Sequence, residues 1–196
     1  MIKYPNGKNF RAVHKDSKKS ASNRGMTLEK DLDSTNKFYL AQEIANIHKK
    51  PTPIQVVSVD YPQRSKARIT EAYYKTPSTT DYNGVYKGFY IDFEAKETRN
   101  STIFKFANIH QHQFNHLESV IKHGGIAFFI IRFIPFDEIY VIDAKIIIKA
   151  RNDGHKSLQY DIIKANGYIV SQKYNPRIDY LQCVDNIINK EVSKFE

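Results

Sequence analysis

TTDYNGVYKGFYIDFEAKET, residues 79–98, decides the fold of this 196-residue chain. Side chains on a strand alternate between its two faces. From Tyr90 to Lys96 that alternation puts Ile91, Phe93 and Ala95 on one face and Asp92, Glu94 and Lys96 on the other. Lys87-Gly88 offers a tight turn into this strand from a partner beginning at Val85. The apolar face needs a core. The charged face is either a solvated sheet surface or, on a buried central strand, a set of groups that must be paired or hold a metal. Asp81 precedes the turn, so two acids and a lysine converge on one surface, an arrangement able to hold a divalent cation beside a phosphate.

The bulk of the chain narrows the options. An apolar content of 41% with 13% aromatic residues suits one globular domain with a sizeable core. A formal net charge of +9 favours polyanions, through phosphate neutralisation and counterion release. No apolar run approaches the roughly 20 residues of a membrane span. The opening MIKYPNGKNF lacks a signal-peptide core. The lone Cys183 excludes an internal disulfide and reads as a small apolar residue of a reducing compartment. A cytoplasmic protein is expected.

Residues 1–24 carry Lys3, Lys8, Arg11, Lys15, Lys18, Lys19 and Arg24 against Asp16, about six of the nine net charges, and read as a flexible basic arm that contacts DNA. Residues 25–196 then form a single domain. A helix is expected from Thr27, its N-cap, to about Ile47, on the spacing of Leu28, Leu32, Leu40, Ile44 and Ile47. The prolines of KKPTP stop it. Ile54–Val59 and Arg68–Tyr74 read as the strands of a hairpin-like excursion over about residues 49–75, carrying Lys49, Lys50, Arg64, Lys66, Arg68 and Lys75. Asn108 to His123 is expected to be a second helix, N-capped by Asn108 and ended by Gly124-Gly125. Strands at 126–133 and 138–142, helical pieces near 144–150 and 158–164, and a helix from Arg177 to Phe195 complete the chain. The order predicts an α/β (α+β) fold, a sheet flanked by helices.

The helix after the charged strand is rich in polar nitrogen: Asn108, His110, Gln111, His112, Gln113, Asn115 and His116. His112 and His116 have the i,i+4 spacing of a zinc pair, but no Glu beside His112 and no cysteine supports one. A helix facing nucleic acid is the better reading, with histidines bonding phosphate. Glycine-rich and Walker phosphate loops are absent, which disfavours a nucleotide-driven motor.

Asp81 with Glu94-Ala95-Lys96 is the element of the PD-(D/E)xK nucleases. Taken with MIKYPNGKNF, SNRGMTLEKDL, NIHKKPTPIQVVSVDYP, EAYYKTPSTTDYNGVYKGFYIDFEAKET, NIHQHQFNHL and NPRIDYL, the chain closely resembles the RecU family of Holliday junction resolvases. The resemblance runs over nearly the whole chain in the family's order. It implies a restriction-endonuclease-like mixed sheet with a protruding β-hairpin stalk, and an intertwined homodimer. It further implies Mg²⁺-dependent nicking of four-way DNA junctions, with one Mg²⁺ per subunit and Mn²⁺ as a substitute.

Carried over residue by residue, the resemblance puts the metal site on Thr79, Asp81, Glu94 and Gln113, and the active-site lysine on Lys96. It makes the excursion from Lys49 to Lys75 the stalk inserted at the junction centre, with Arg64 and the Tyr73-Tyr74 pair in that region and Arg24 in the SNRG segment. With Lys66, Arg68 and Lys75 these form the expected DNA contacts. A shortened basic interval between Phe10 and Ser22 departs from the family. A recombinase or branch-migration helicase is a further expected partner. In such a site the metal acidifies a water for in-line attack on phosphorus, while Lys96 either stabilises charge or helps deprotonate the water. Asp92 receives no role from the resemblance, and Glu29 is a candidate assistant. The alternative is a junction-binding or strand-annealing recombination factor whose nuclease is weak or dispensable, since arm and stalk suffice for binding.

Overall fold

Alternation over Phe89–Thr98 builds the middle of the sheet. The computed structural model describes residues 27–75 and 79–193. In chain order the elements begin with α1 (Leu28–Ala41), β1 (Asn46–Lys49), β2 (Ile54–Asp60), β3 (Arg68–Tyr74), β4 (Tyr82–Tyr86) and β5 (Phe89–Thr98). They continue with β6 (Ile103–Lys105), α2 (Gln111–Lys122), β7 (Ile126–Phe133), β8 (Glu138–Asp143), α3 (Ala144–Asn152) and β9 (Ser157–Gln159). Last come α4 (Tyr160–Asn166), β10 (Tyr168–Ile169), β11 (Ser171–Gln172), β12 (Ile178–Asp179) and α5 (Leu181–Val192).

Six strands form the main sheet in the order β1-β4-β5-β7-β8-β10. Only β5 and β7 pair in parallel, with Asp92 opposite Ala127 and Glu94 opposite Phe129. The other neighbours are antiparallel, so this is a mixed α+β sheet flanked by helices. The β4–β5 turn falls at Lys87-Gly88, both with positive φ (49° and 82°), as a two-residue hairpin of right-handed twist requires. A parallel neighbour demands a crossover, and α2 supplies it.

The sheet has a core on each face. Ile91, Phe93, Ile126, Phe128 and Ile130 pack with Leu28 and Leu32 of α1 and with Leu181, Val184 and Ile187 of α5. At its centre Phe93 stacks between Tyr82 (centroids 4.9 Å) and Phe128 (4.8 Å), with Tyr180 at 5.3 Å. The opposite face joins Ala127, Phe129, Ile131 and Phe133 to Phe114 and Leu117 of α2 and to Ile147 of α3. Because β5 turns Asp92 and Glu94 to this second side, two carboxylates with no exposed surface sit under α2.

The β2–β3 ribbon stands apart from the main sheet. Its pairs run from Ile54–Tyr74 to Asp60–Arg68 with an irregularity near Val57, and every residue of both strands is exposed. The expected turn holds a short 3₁₀ segment at Arg64–Lys66.

Three expectations need correction. The first helix ends at Ala41, not Ile47: Glu43 takes φ 56° and breaks it, and Ile47 is buried instead on β1, opposite Gly84. The second helix starts at Gln111 with His110 as N-cap, because Phe106–Asn108 forms a 3₁₀ turn first. The last helix starts at Leu181 rather than Arg177, since Ile178–Asp179 pairs with β11. Thr27 does cap α1, its hydroxyl accepting the Lys30 N–H at 3.5 Å. Among the described residues no helix is long and apolar enough to cross a membrane.

Candidate active site

Asp81 sits one residue before β4 and Glu94 halfway along β5, and the hairpin register folds them together. The Asp81 N–H donates to Glu94 Oε2 at 3.2 Å, and the Ala95 N–H donates to Asp81 Oδ2 at 3.3 Å. Lys96, next on the same face, places Nζ 2.5 Å from Glu94 Oε1. From α2, Gln113 Nε2 donates to the same oxygen at 2.5 Å. Burial pushes the Glu94 carboxyl up to about 8, and the negative charge of Asp81 adds to the rise while Lys96 opposes it.

The sequence-derived site residues divide into three groups. Asp81, Glu94, Lys96 and Gln113 meet in one cluster. Thr79 stands two residues before Asp81 in the chain, and its hydroxyl donates to Thr80 O at 3.5 Å. Gln113 enters with its NH₂ group, whereas its carbonyl oxygen accepts the His110 N–H at 2.9 Å and closes the capping box of α2. A direct metal contact through that oxygen therefore competes with the cap. Arg64, Lys66, Arg68, Tyr73, Tyr74 and Lys75 stand on or beside the exposed ribbon, where Arg68 bonds Asp60 at 3.4 Å, the Tyr73 hydroxyl bonds Glu71 at 2.6 Å, and the Lys75 N–H donates to Pro53 O at 3.0 Å. Arg24 and the basic arm lie outside the described residues.

Glu29 does not join the two acids. It pairs with Lys49 at 2.7 Å, and that hydrogen bond raises the Lys49 pKa. His112 and His116 do not form a metal pair: His116 bonds Asp92, and His112 stacks on His110 at 5.4 Å. Burial lowers the His112 pKa, with the nearby charges of His110 and Lys96 adding to it. No group of three or more His, Cys, Asp or Glu able to hold a metal occurs among the described residues.

Sequence reasoning gave Asp92 no partners, yet it is among the most heavily bonded side chains of the molecule. Its carboxylate accepts from the Thr80 hydroxyl, Lys50 Nζ (2.8 Å) and the Tyr90 hydroxyl (2.8 Å), and it bonds His116 Nε2 (2.9 Å). Tyr90 was readable from alternation, two residues earlier on the same face. Lys50 and His116 were not, being distant in sequence.

The profile of the family described as Recombination protein U, RecU, matches residues 23–186. The chain belongs to the RecU family. Its relatives include the Holliday junction resolvase RecU of Bacillus thuringiensis (strain Al Hakam), 53% identical over 195 residues, covering 95% of this chain and 98% of that protein. The RecU protein of Bacillus anthracis matches to the same extent. Among solved structures, that of Archaeoglobus fulgidus Hjc, a Holliday junction resolvase, aligns over 71% of this chain and 90% of its own with a TM-score of 0.43 and 10% identity.

Proposed function

We propose that this RecU-family chain is an endonuclease that resolves four-way DNA junctions by paired, symmetric nicks during recombination and repair, working as a homodimer in the cytoplasm. The observation that carries the proposal is the Asp81–Glu94–Lys96 cluster of a family member whose relatives bear the name Holliday junction resolvase. A twofold dimer presents two such clusters symmetrically, which suits matched cuts across a junction.

Mg²⁺ fits the site: the donors are hard oxygens, and the Glu94 carboxyl, whose proton is held by burial while no cation is present, would release it as one binds. Asp81 and Glu94 would hold the ion, with Thr79 and Gln113 as neutral neighbours acting directly or through water, and Mn²⁺ as a substitute. Bound there, the ion would supply Lewis acidity to activate a water and to offset the negative charge growing on the phosphoryl oxygens. The protein's part is positional. Asp81 is held by the Ala95 N–H, Glu94 by the Asp81 N–H and Gln113, so neither acid must reorganise when substrate arrives. Lys96 has three donors, of which one meets Glu94, leaving donors for a phosphate oxygen where negative charge grows.

The ribbon is the stalk of this proposal, supplying Arg64, Lys66, Arg68 and Lys75 for phosphates and Tyr73-Tyr74 for bases at the junction centre. Arg24 and the basic arm would extend the contact. The test is cleavage of a synthetic mobile four-way junction with Mg²⁺, beside linear duplex. Asp81→Asn and Lys96→Ala are expected to cut about 10²–10³ more slowly while retaining binding. Equal rates for both variants and wild type overturn the site. The exposed ribbon, independent of the acids, favours one second reading, a junction-binding factor with dispensable nuclease. Tight binding with no nicking under any divalent metal would establish that reading.

A further inference from the structure

The Asp92 carboxylate is buried, charged and without a role in the chemistry above. A charge under α2 is costly to bury, and an apolar side chain would fill the same space more cheaply. Its partners explain its presence. Lys50 is the last residue before Pro51-Thr52-Pro53 carries the chain out into the β2–β3 ribbon, and Thr80 lies where the chain returns. Lys50 Nζ donates to Asp92 Oδ2 at 2.8 Å and to the Thr80 hydroxyl at 2.9 Å, while the Thr80 hydroxyl donates to Asp92 Oδ1. The Lys50 N–H also donates to the carbonyl oxygen of Asp81 at 2.7 Å. Both legs of the ribbon thus meet on one carboxylate, two residues along β5 from Glu94.

Resting on the reading of Asp81 and Glu94 as the cation site, we infer that Lys50, Thr80 and Asp92 form a clamp whose work is to position Asp81. These three are positioning residues, not catalytic ones. Asp81 is anchored from its own carbonyl by Lys50 and from its neighbour by the Thr80–Asp92 bond. That fixes the backbone from which its carboxylate reaches the Ala95 N–H. The proline-stiffened entry makes Lys50 the point through which the ribbon's orientation bears on the site. Tyr90 and His116 complete the carboxylate's hydrogen bonds from the strand and from α2.

The test reads cation affinity in the full-length protein without DNA, so turnover does not enter. Mn²⁺ is titrated and its free form followed by electron paramagnetic resonance. Lys50→Met keeps the aliphatic stem and loses the charge, and its Mn²⁺ dissociation constant is expected to rise about 10–100-fold, the usual effect of removing an outer support of a metal ligand. Lys50→Arg should recover most of the loss. A merely structural pair would shift the melting temperature and leave the affinity of the folded protein unchanged. Should Lys50→Met fail to fold, the double variant Lys50→Met/Asp92→Leu leaves no unpaired buried charge and carries the same expectation. Asp81→Asn is the control. Wild-type affinity in the clamp variants beside a loss in Asp81→Asn overturns the clamp and keeps the cation site. Wild-type affinity in all of them removes the site and the clamp with it.

Discussion

Replacing Glu94 with glutamine should stabilise the metal-free protein, by an amount that grows with pH. The folded carboxyl titrates near 8, because it is buried against Asp81, whereas an unfolded glutamate titrates near 4.5. Between those values the folded state holds a proton that the unfolded chain has released. Stability of the wild type therefore falls as pH rises from 4.5 to 8, by up to about 1.4 kcal/mol per pH unit. The full loss approaches about 5 kcal/mol above pH 8 and is about 3 kcal/mol at pH 7. Glutamine has no charge to bury and mimics the protonated acid: one oxygen remains for Gln113 Nε2, and the NH₂ stands where the acid's OH would be, facing the Asp81 N–H. Urea denaturation in a chelator at fixed protein concentration, at pH 5, 6, 7 and 8, measures the difference. The two proteins should be nearly equal at pH 5 and about 3 kcal/mol apart at pH 7, or roughly 10 °C in melting temperature at this chain length. Mg²⁺ should raise the wild type and leave the variant unmoved. A gap that does not change with pH, or a variant less stable than wild type at pH 8, refutes the reasoning.

Three further outcomes follow from packing and exposure. Phe93→Ala removes the ring that stacks on Tyr82 and Phe128 at zero exposure, and should cost about 3–5 kcal/mol in chemical denaturation. In Gly84→Ala the new methyl lands on the carbonyl oxygen of Asn46 and 2.6 Å from Ile47 Cα; it should force β1 away from β4 and cost about 1–3 kcal/mol, read by calorimetry. Tyr74, 85% exposed on the ribbon, should be replaceable by alanine within about 0.5 kcal/mol of stability, yet lose about 1–3 kcal/mol of junction affinity in a gel-shift titration if it stacks on a base.

How far the sequence could be read depended on the range of the forces involved. β4 and β5 were legible because strict alternation and the Lys87-Gly88 turn act over a few residues. The ribbon was legible for the same reason: two β-rich runs flank a polar turn. Ile44 and Ile47 misled, since their spacing continues the helical period while the chain has already turned at Glu43 and needs Ile47 to fill the edge of the first core. Asn108 is a good N-cap by residue type, but His110 and Gln113 offer the backbone a reciprocal pair, and the helix begins there. In the site, Asp81, Glu94 and Lys96 were visible in the motif. Gln113 came from family resemblance alone, and it arrives through its NH₂ group rather than its oxygen. Lys50 read only as one of the basic residues of the excursion, because its partner Asp92 is 42 residues away and no local pattern pairs a lysine before a proline with a carboxylate on a distant strand.

The capping box of α2 narrows the residues that position 113 can accept. The commonest residue at this place in a capping box is glutamate, which would serve the helix end equally well. Here the same side chain has two duties: its oxygen closes the box at His110, and its NH₂ faces the Glu94 carboxylate. Glutamate would satisfy the helix and set a third acid against Asp81 and Glu94. Asparagine would keep the amide but be too short to span both partners. An amide of glutamine's length answers both demands, so the start of a helix and the charge balance of the acid pair are decided at one position.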